Sequence, residues 1–190
     1  MPCAAATERV GLVLAGGRDG ADWPWRHGIS LREQAERILQ RAGVETVLIS
    51  GIDDCANAIP DRVEGLGPLG GLRSALDHPG LAAGATLIIV AIDMPAVSPR
   101  ALARLADIAE FDGRGALFDL GPLPMVLRAG PELQAAVDAT LSTEASLAAL
   151  AAGLQLPVVA SLPDDGLDHA ASLEELNELR RRLEAAGSSP

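Results

Sequence analysis

The chain reads as an α/β protein with a mostly parallel central sheet covered by helices on both faces, a three-layer arrangement. Three observations predict it. The apolar runs Val10 to Ala15, Val44 to Ile49 and Leu87 to Ile92 are continuous rather than alternating, as in strands buried on both faces. Sequence with helical periodicity separates each run from the next, which is the βαβ alternation of a parallel sheet. The 20 Gly and 13 Pro are scattered along the 190 residues, so they punctuate many short elements instead of marking a linker.

The elements follow in order. Val10 to Ala15 is the first strand, and Gly16-Gly17 turns the chain after it. Beyond a loop, Ser30 and Glu33 form an S-x-x-E capping box, and Leu31, Ala35, Ile38, Leu39 and Ala42 recur at helical spacing before Gly43. Val44 to Ile49 is the second strand. The glycine-rich stretch from Gly65 to Gly71 reads as flexible backbone ahead of a helical Leu72 to Leu76. Leu87 to Ile92 is the third strand. Ser98-Pro99 supplies an N-cap and a proline at the first helical position, with Leu102, Leu105 and Ile108 facing inward. Strand-like pieces return at Ala116 to Phe118, Met125 to Leu127 and Pro157 to Ala160, with helices starting at Pro131 and Glu144. Ser172 and Glu175 make a second capping box ahead of Leu173, Leu176, Leu179 and Leu183. One domain is expected over residues 1–190, with its core at about 8–185.

Composition narrows the function. The formal net charge is −11 and the chain has no Lys, so a polyanion is repelled over most of the surface and nucleic acid is not an expected partner. Cys3 and Cys55 have no ligand spacing around them, which argues against a disulfide framework and a zinc site. The N-terminal residues lack the pattern of an export signal, and no apolar run is long enough for a bilayer. A cytoplasmic protein with no membrane partner is expected.

Three constellations bear chemistry. Leu14-Ala15-Gly16-Gly17-Arg18 places paired glycines at the carboxyl end of a strand, where backbone amides can approach phosphate oxygens without a Cβ in the way. A sharp turn needing positive φ explains the same residues. Asp93 ends a buried strand ahead of Met94-Pro95 and offers a hard oxygen donor for Mg²⁺, against the plainer reading of an acidic cap on the next turn. Pro60-Asp61-Arg62 with Gly65 to Gly71 is a candidate for backbone wrapped around a ligand. An ordinary turn cluster looks similar. Trp23 and Trp25, in the loop after the first strand, are expected to pin it to the core. His27, His78 and His169 are read as surface side chains.

Together these pieces resemble the molybdenum cofactor guanylyltransferase family, within the Rossmann-like nucleotidyltransferases, over nearly the whole chain. The family opens with LAGGxxxRxGxxK, and LAGG is here Leu14 to Gly17. Its DRxxGxGPLxG segment is here Asp61 to Gly71, the most specific match. Its strand ending in D-x-P is here Asp93-Met94-Pro95. The resemblance implies a three-layer Rossmann-like nucleotidyltransferase fold and transfer of GMP from GTP to a molybdopterin-type cofactor, with Mg²⁺ and release of pyrophosphate. By it Leu14, Ala15, Gly16 and Gly17 hold the nucleotide, Asp61 and the Gly67, Pro68, Leu69, Gly70 stretch meet the guanosine, and Asp93 binds Mg²⁺; Arg18 is a further candidate for the nucleotide's phosphates, against the plainer reading of a solvated loop arginine. LAGG, where cytidylyltransferase relatives tend to have LAAG, favours GTP over CTP. A molybdoenzyme or a cofactor-biosynthesis protein is the implied protein partner.

The chain departs from the pattern in two places. Ala21, Trp23 and Arg26 stand where the family has arginine, glycine and the phosphate-binding lysine. The N-x-N-T-P-E-[DE]-L segment is here His169 to Leu176, without either asparagine. Arg26 and Asp93 are taken as the catalytic pair, with Arg26 carrying the charge of the missing lysine. Loss of such a cation costs on the order of 3–4 kcal/mol of transition-state stabilisation. A non-catalytic nucleotide- or molybdenum-cofactor-binding module, or a cytidylyl or sugar-phosphate transferase, is the alternative.

Overall fold

The computed structural model describes residues 7–16, 19–53, 55–60, 65–144 and 146–187. Its first strand, β1 (Arg9–Leu14), is followed by a short 3-10 turn at Asp19–Asp22 and then by helix α1 (Leu31–Arg41). The predicted capping box is present in both directions. The Glu33 amide donates to the Ser30 hydroxyl at 3.2 Å, and the Ser30 amide donates to the Glu33 carboxylate at 2.8 Å. The helix stops in a glycine-ended turn: Gly43, at φ +89°, donates to Gln40 O, and Val44 donates to Leu39 O at 3.1 Å. Val44 is thereby tied to the helix, so β2 runs over Thr46–Ser50 instead of starting at Val44.

β3 (Ala58–Ile59) adds two residues beside β2, too few to carry a periodicity. Helix α2 (Gly67–Leu76) corrects an expectation, because Gly67 to Gly71 are its first turns and not a flexible wrap. Pro68 starts it, and Gly71 lets it lie on the sheet: a Cβ there would collide with the Ser50 hydroxyl and come within 3.0 Å of Leu14. β4 (Thr86–Ala91) leads into α3 (Pro99–Asp112), then β5 (Gly115–Phe118) and β6 (Met125–Arg128). Ser98 precedes α3 as its N-cap residue but makes no side-chain cap bond. Helix α4 (Pro131–Leu141) is followed by α5 (Leu147–Gly153), β7 (Val158–Val159) and α6 (Leu173–Gly187). α5 starts three residues after the expected Glu144, because the Ser146 hydroxyl accepts from the Ala149 amide and caps it.

The strand order is β3-β2-β1-β4-β6-β5-β7. β6 alone runs against its neighbours, pairing antiparallel with β4 and β5. Alternate strand residues feed two cores. Val13, Ile49, Ile88, Val90 and Phe118 face α1, α3 and α6, while Leu12, Leu48, Leu87, Ile89 and Leu127 face α2, α4 and α5. The sheet is therefore the middle of three layers, and each fully buried leucine or isoleucine contributes about 1.5–3 kcal/mol. Among the described residues no helix is long and apolar enough to cross a membrane.

Candidate nucleotide and metal site

β1 and β4 are parallel neighbours, with Leu14 opposite Ala91. Their carboxyl ends open at one edge of the sheet. β2 lies on one side of β1 and β4 on the other, so this is the topological switch point where open α/β sheets hold ligands. Two backbone bonds fix the edge: Ile92 donates to Leu14 O at 3.1 Å, and Ala15 donates to Ser50 O at 2.8 Å. Leu14 and Ala15 are buried, so their side chains are closed to a ligand. Gly16 is exposed at φ +62°, a left-handed conformation that a side chain makes costly. Gly17, Arg18 and Asp61, singled out from the sequence, lie outside the described residues.

Asp93 follows the end of β4 and is 7% exposed. The turn after it is held from three sides. Met94 donates to Ala91 O at 3.3 Å, the Gln34 amide of α1 reaches Pro95 O at 2.8 Å, and Ala170 donates to Asp93 O at 2.8 Å. The Asp93 Oδ1 lies 3.2 Å from Nδ1 of His169. His169 is thus more than the surface side chain expected: its side chain is 50% exposed, yet one ring nitrogen rests on the carboxylate. The signal that could have found it was its place in the segment where the family pattern has its first asparagine.

Arg26 is tied to the C-terminal helix. Its Nη2 donates to the Arg180 carbonyl of α6 at 3.1 Å, and its guanidinium lies 5.5 Å over the Trp25 ring. In return Arg180 Nη1 donates to Trp25 O at 3.1 Å. The cleft that Arg26 lines is formed with Trp25, His27, Arg180 and Glu184, and includes neither Gly16 nor Asp93. The planar guanidinium can stack on the indole and donate to a carbonyl at once. Trp25 is 5% exposed and Trp23 packs against the same core, so both tryptophans pin the loop.

The third constellation lies beside the edge through α2. Gly67 and Pro68 are exposed at its start, whereas Leu69 is fully buried with Leu12 and Leu14, and Gly70 is buried. Leu69 therefore offers no side chain at the edge, and the Gly70 amide donates to Leu66 O at 3.3 Å. The edge as a whole therefore offers backbone amides, one nearly buried carboxylate and one half-exposed imidazole. Such a set suits a phosphorylated ligand accompanied by a cation better than acyl or glycosyl chemistry, which calls for a nucleophile or a second carboxylate.

Solved structures of nucleotidyltransferases share this fold. The 4-diphosphocytidyl-2C-methyl-D-erythritol synthase structure matches it with a TM-score of 0.70 at 13% identity, covering 94% of this chain and 100% of that one. Rv0371c of Mycobacterium tuberculosis H37Rv, solved in complex with manganese, matches with a TM-score of 0.64 at 19% identity, over 93% and 100% of the two chains. At these identities the likeness is one of fold. Residues 11–119 match the MobA-like NTP transferase domain, more than half of the sequence, and the chain belongs to that family. It is 37% identical over 149 residues to the molybdenum cofactor guanylyltransferase of Xanthomonas euvesicatoria pv. vesicatoria (strain 85-10), a match covering 75% of this chain and 76% of that protein.

Proposed function

We propose that this nucleotidyltransferase transfers a guanylyl group from GTP to a molybdopterin-type cofactor, releasing pyrophosphate. The observation that carries the reading is the meeting of the Gly16 turn and Asp93 at the carboxyl ends of adjacent strands. The backbone at Gly16 and the Gly17 that follows it receives the triphosphate, where amides donate to oxygens whose charge grows in the transition state, and the Ala15 amide, bonded to Ser50 O, anchors that stretch to β2. With Arg26 held on α6, Arg18, two residues after Gly16 in sequence, is the cation assigned to the phosphates. The start of α2, with Gly67 and Pro68 exposed, and Asp61 just before it receive the guanosine.

Asp93 fits a divalent cation. It is a hard oxygen donor at the edge of the crevice, and among the described residues no three His, Cys, Asp or Glu side chains form a closed cage. Nucleotide oxygens and water would complete the shell, as is usual for Mg²⁺ with nucleotides. When bound, such a cation neutralises the charge developing on the phosphates. Asp93 holds its place because its backbone carbonyl is bonded to Ala170 and its turn to Gln34.

Calorimetric titration with GTP, CTP and ATP, with and without divalent cation, tests the reading alongside a pyrophosphate-release assay. GTP-selective binding with release dependent on the acceptor cofactor is expected. No nucleotide binding overturns it. The capture of Arg26 by α6 favours a second reading, a binding module without turnover, which predicts GTP binding and no release of pyrophosphate.

A further inference from the structure

We infer that His169 is a second protein ligand beside Asp93, and that this pair of one imidazole nitrogen and one carboxylate oxygen makes the site select a first-row transition cation such as Mn²⁺ over Mg²⁺. The inference rests on the guanylyl-transfer reading of the same edge. Its first support is distance. An octahedral ion with bonds of about 2.1 Å sets neighbouring donors about 3.0 Å apart. Nδ1 of His169 and Oδ1 of Asp93 are 3.2 Å apart, so both can meet one ion with little movement of either side chain.

The second support is rigidity. Ala170, next to His169, donates its amide to the Asp93 carbonyl at 2.8 Å and is itself 1% exposed. The two donors are therefore carried on one bonded frame, although 76 residues separate them in sequence. The third is access. The Asp93 side chain is 10% exposed and that of His169 is 50% exposed, so the pair is walled on the carboxylate side and open on the imidazole side, where phosphate oxygens and water can enter.

The chemistry of the donors sets the preference. Mg²⁺ is a hard ion that takes oxygen donors and dehydrates reluctantly, whereas a nitrogen donor favours first-row transition ions in the order Mn²⁺ < Fe²⁺ < Co²⁺ < Ni²⁺ < Cu²⁺, with Mn²⁺ the mildest case of the preference. With its proton on Nε2, the ring presents the Nδ1 lone pair toward Asp93 and the ion, and the exposed Nε2 donates to water. Replacing the ring by asparagine puts an amide at about the reach of Nδ1 and removes the imidazole nitrogen.

The test uses the full chain saturated with GTP, titrated with Mn²⁺ and with Mg²⁺, and compares the preference with that of GTP alone. The protein is expected to raise the preference for Mn²⁺ over that of free GTP. His169→Asn should weaken Mn²⁺ by at least the roughly 10–100-fold that loss of an outer-shell partner costs, with a smaller change for Mg²⁺. Electron spin-echo spectroscopy of the wild-type Mn²⁺–GTP complex gives a readout independent of any variant, since a directly bound imidazole nitrogen modulates the echo. Absence of that modulation together with an unchanged preference, while GTP still binds, overturns the role of His169 and leaves the guanylyl reading standing. Failure of the wild-type chain to bind GTP with either cation overturns both.

Discussion

The segments that leave β1 and β4 start side by side and lean on the same C-terminal stretch, yet they are held in opposite ways. The β1 segment is fastened by side chains: Trp25 in the core, Arg26 on the Arg180 carbonyl and Arg180 on the Trp25 carbonyl. The β4 segment is fastened mainly through its backbone, with Ala170 on Asp93 O and Gln34 on Pro95 O. In the first the charged group is tied to the C-terminal helix. In the second the backbone carries the load, and the carboxylate keeps its place at the ligand edge. On the proposed reading the work at this edge falls to Asp93, and the loop arginine acts as a fastener.

Asp93→Asn keeps the shape of the β4 turn and removes the charge. Pyrophosphate release from GTP should fall by on the order of 100-fold or more, while the urea midpoint moves little. An unchanged rate would mean that the edge between β1 and β4 is not where transfer occurs.

Gly71→Ala tests the surface from which both segments depart. The added methyl meets the Ser50 hydroxyl and Leu14, at the ends of β2 and β1, and overpacking of this kind costs about 1–3 kcal/mol. Urea unfolding should show a lower midpoint, and GTP affinity measured in native conditions should fall with it if α2 is pushed off the edge.

Arg26→Ala should be gentler. Loss of a partly buried charged hydrogen bond costs about 1–2 kcal/mol of stability, and pyrophosphate release should stay within about tenfold of wild type. A loss of several hundredfold with native stability would restore Arg26 as the phosphate cation. Arg180→Ala should reproduce the stability loss, and the double variant should add less than the sum of the two, because they share one clamp.

The smallest effect concerns the end of the β1 segment, where Ser30 closes the loop. The Ser30 amide, above all, holds the Glu33 carboxyl below its ordinary value of 4.5. A lowered folded value means that the box stabilises fully above the ordinary range and is lost as pH falls through the lowered value. Glu33→Gln should remove that part of the acid dependence, seen as a shrinking difference between the two proteins' urea midpoints as pH drops from neutral into the acid range.

The parts of the fold legible in the sequence were those with a local cause. Continuous apolar runs marked β1 and β4, and the Ser30 and Glu33 side chains marked the start of α1, because neither depends on distant residues. The direction of β6 was not legible, since Met125 to Leu127 reads the same in a parallel or an antiparallel pair. The glycines before Leu72 looked like loop because the reason for them, a strand end against α2, lies 21 residues away at Ser50. In the site, Gly16 and Asp93 could be placed from the strands before them. Arg26 and His169 could not, because each takes its partner from the other end of the chain or from a strand far away: Arg180 is 154 residues from Arg26, and Asp93 is 76 from His169.

The reciprocal hold between Trp25, Arg26 and Arg180 also bears on the order in which the molecule is made. A ribosome delivers β1 and its loop first and Arg180 only after all seven strands, so a growing chain can complete its sheet while the loop has nothing to close against. His169 reaches Asp93 equally late. Nascent chains halted after β7 should thus fold a sheet that binds nucleotide poorly, and affinity should rise abruptly once α6 has emerged.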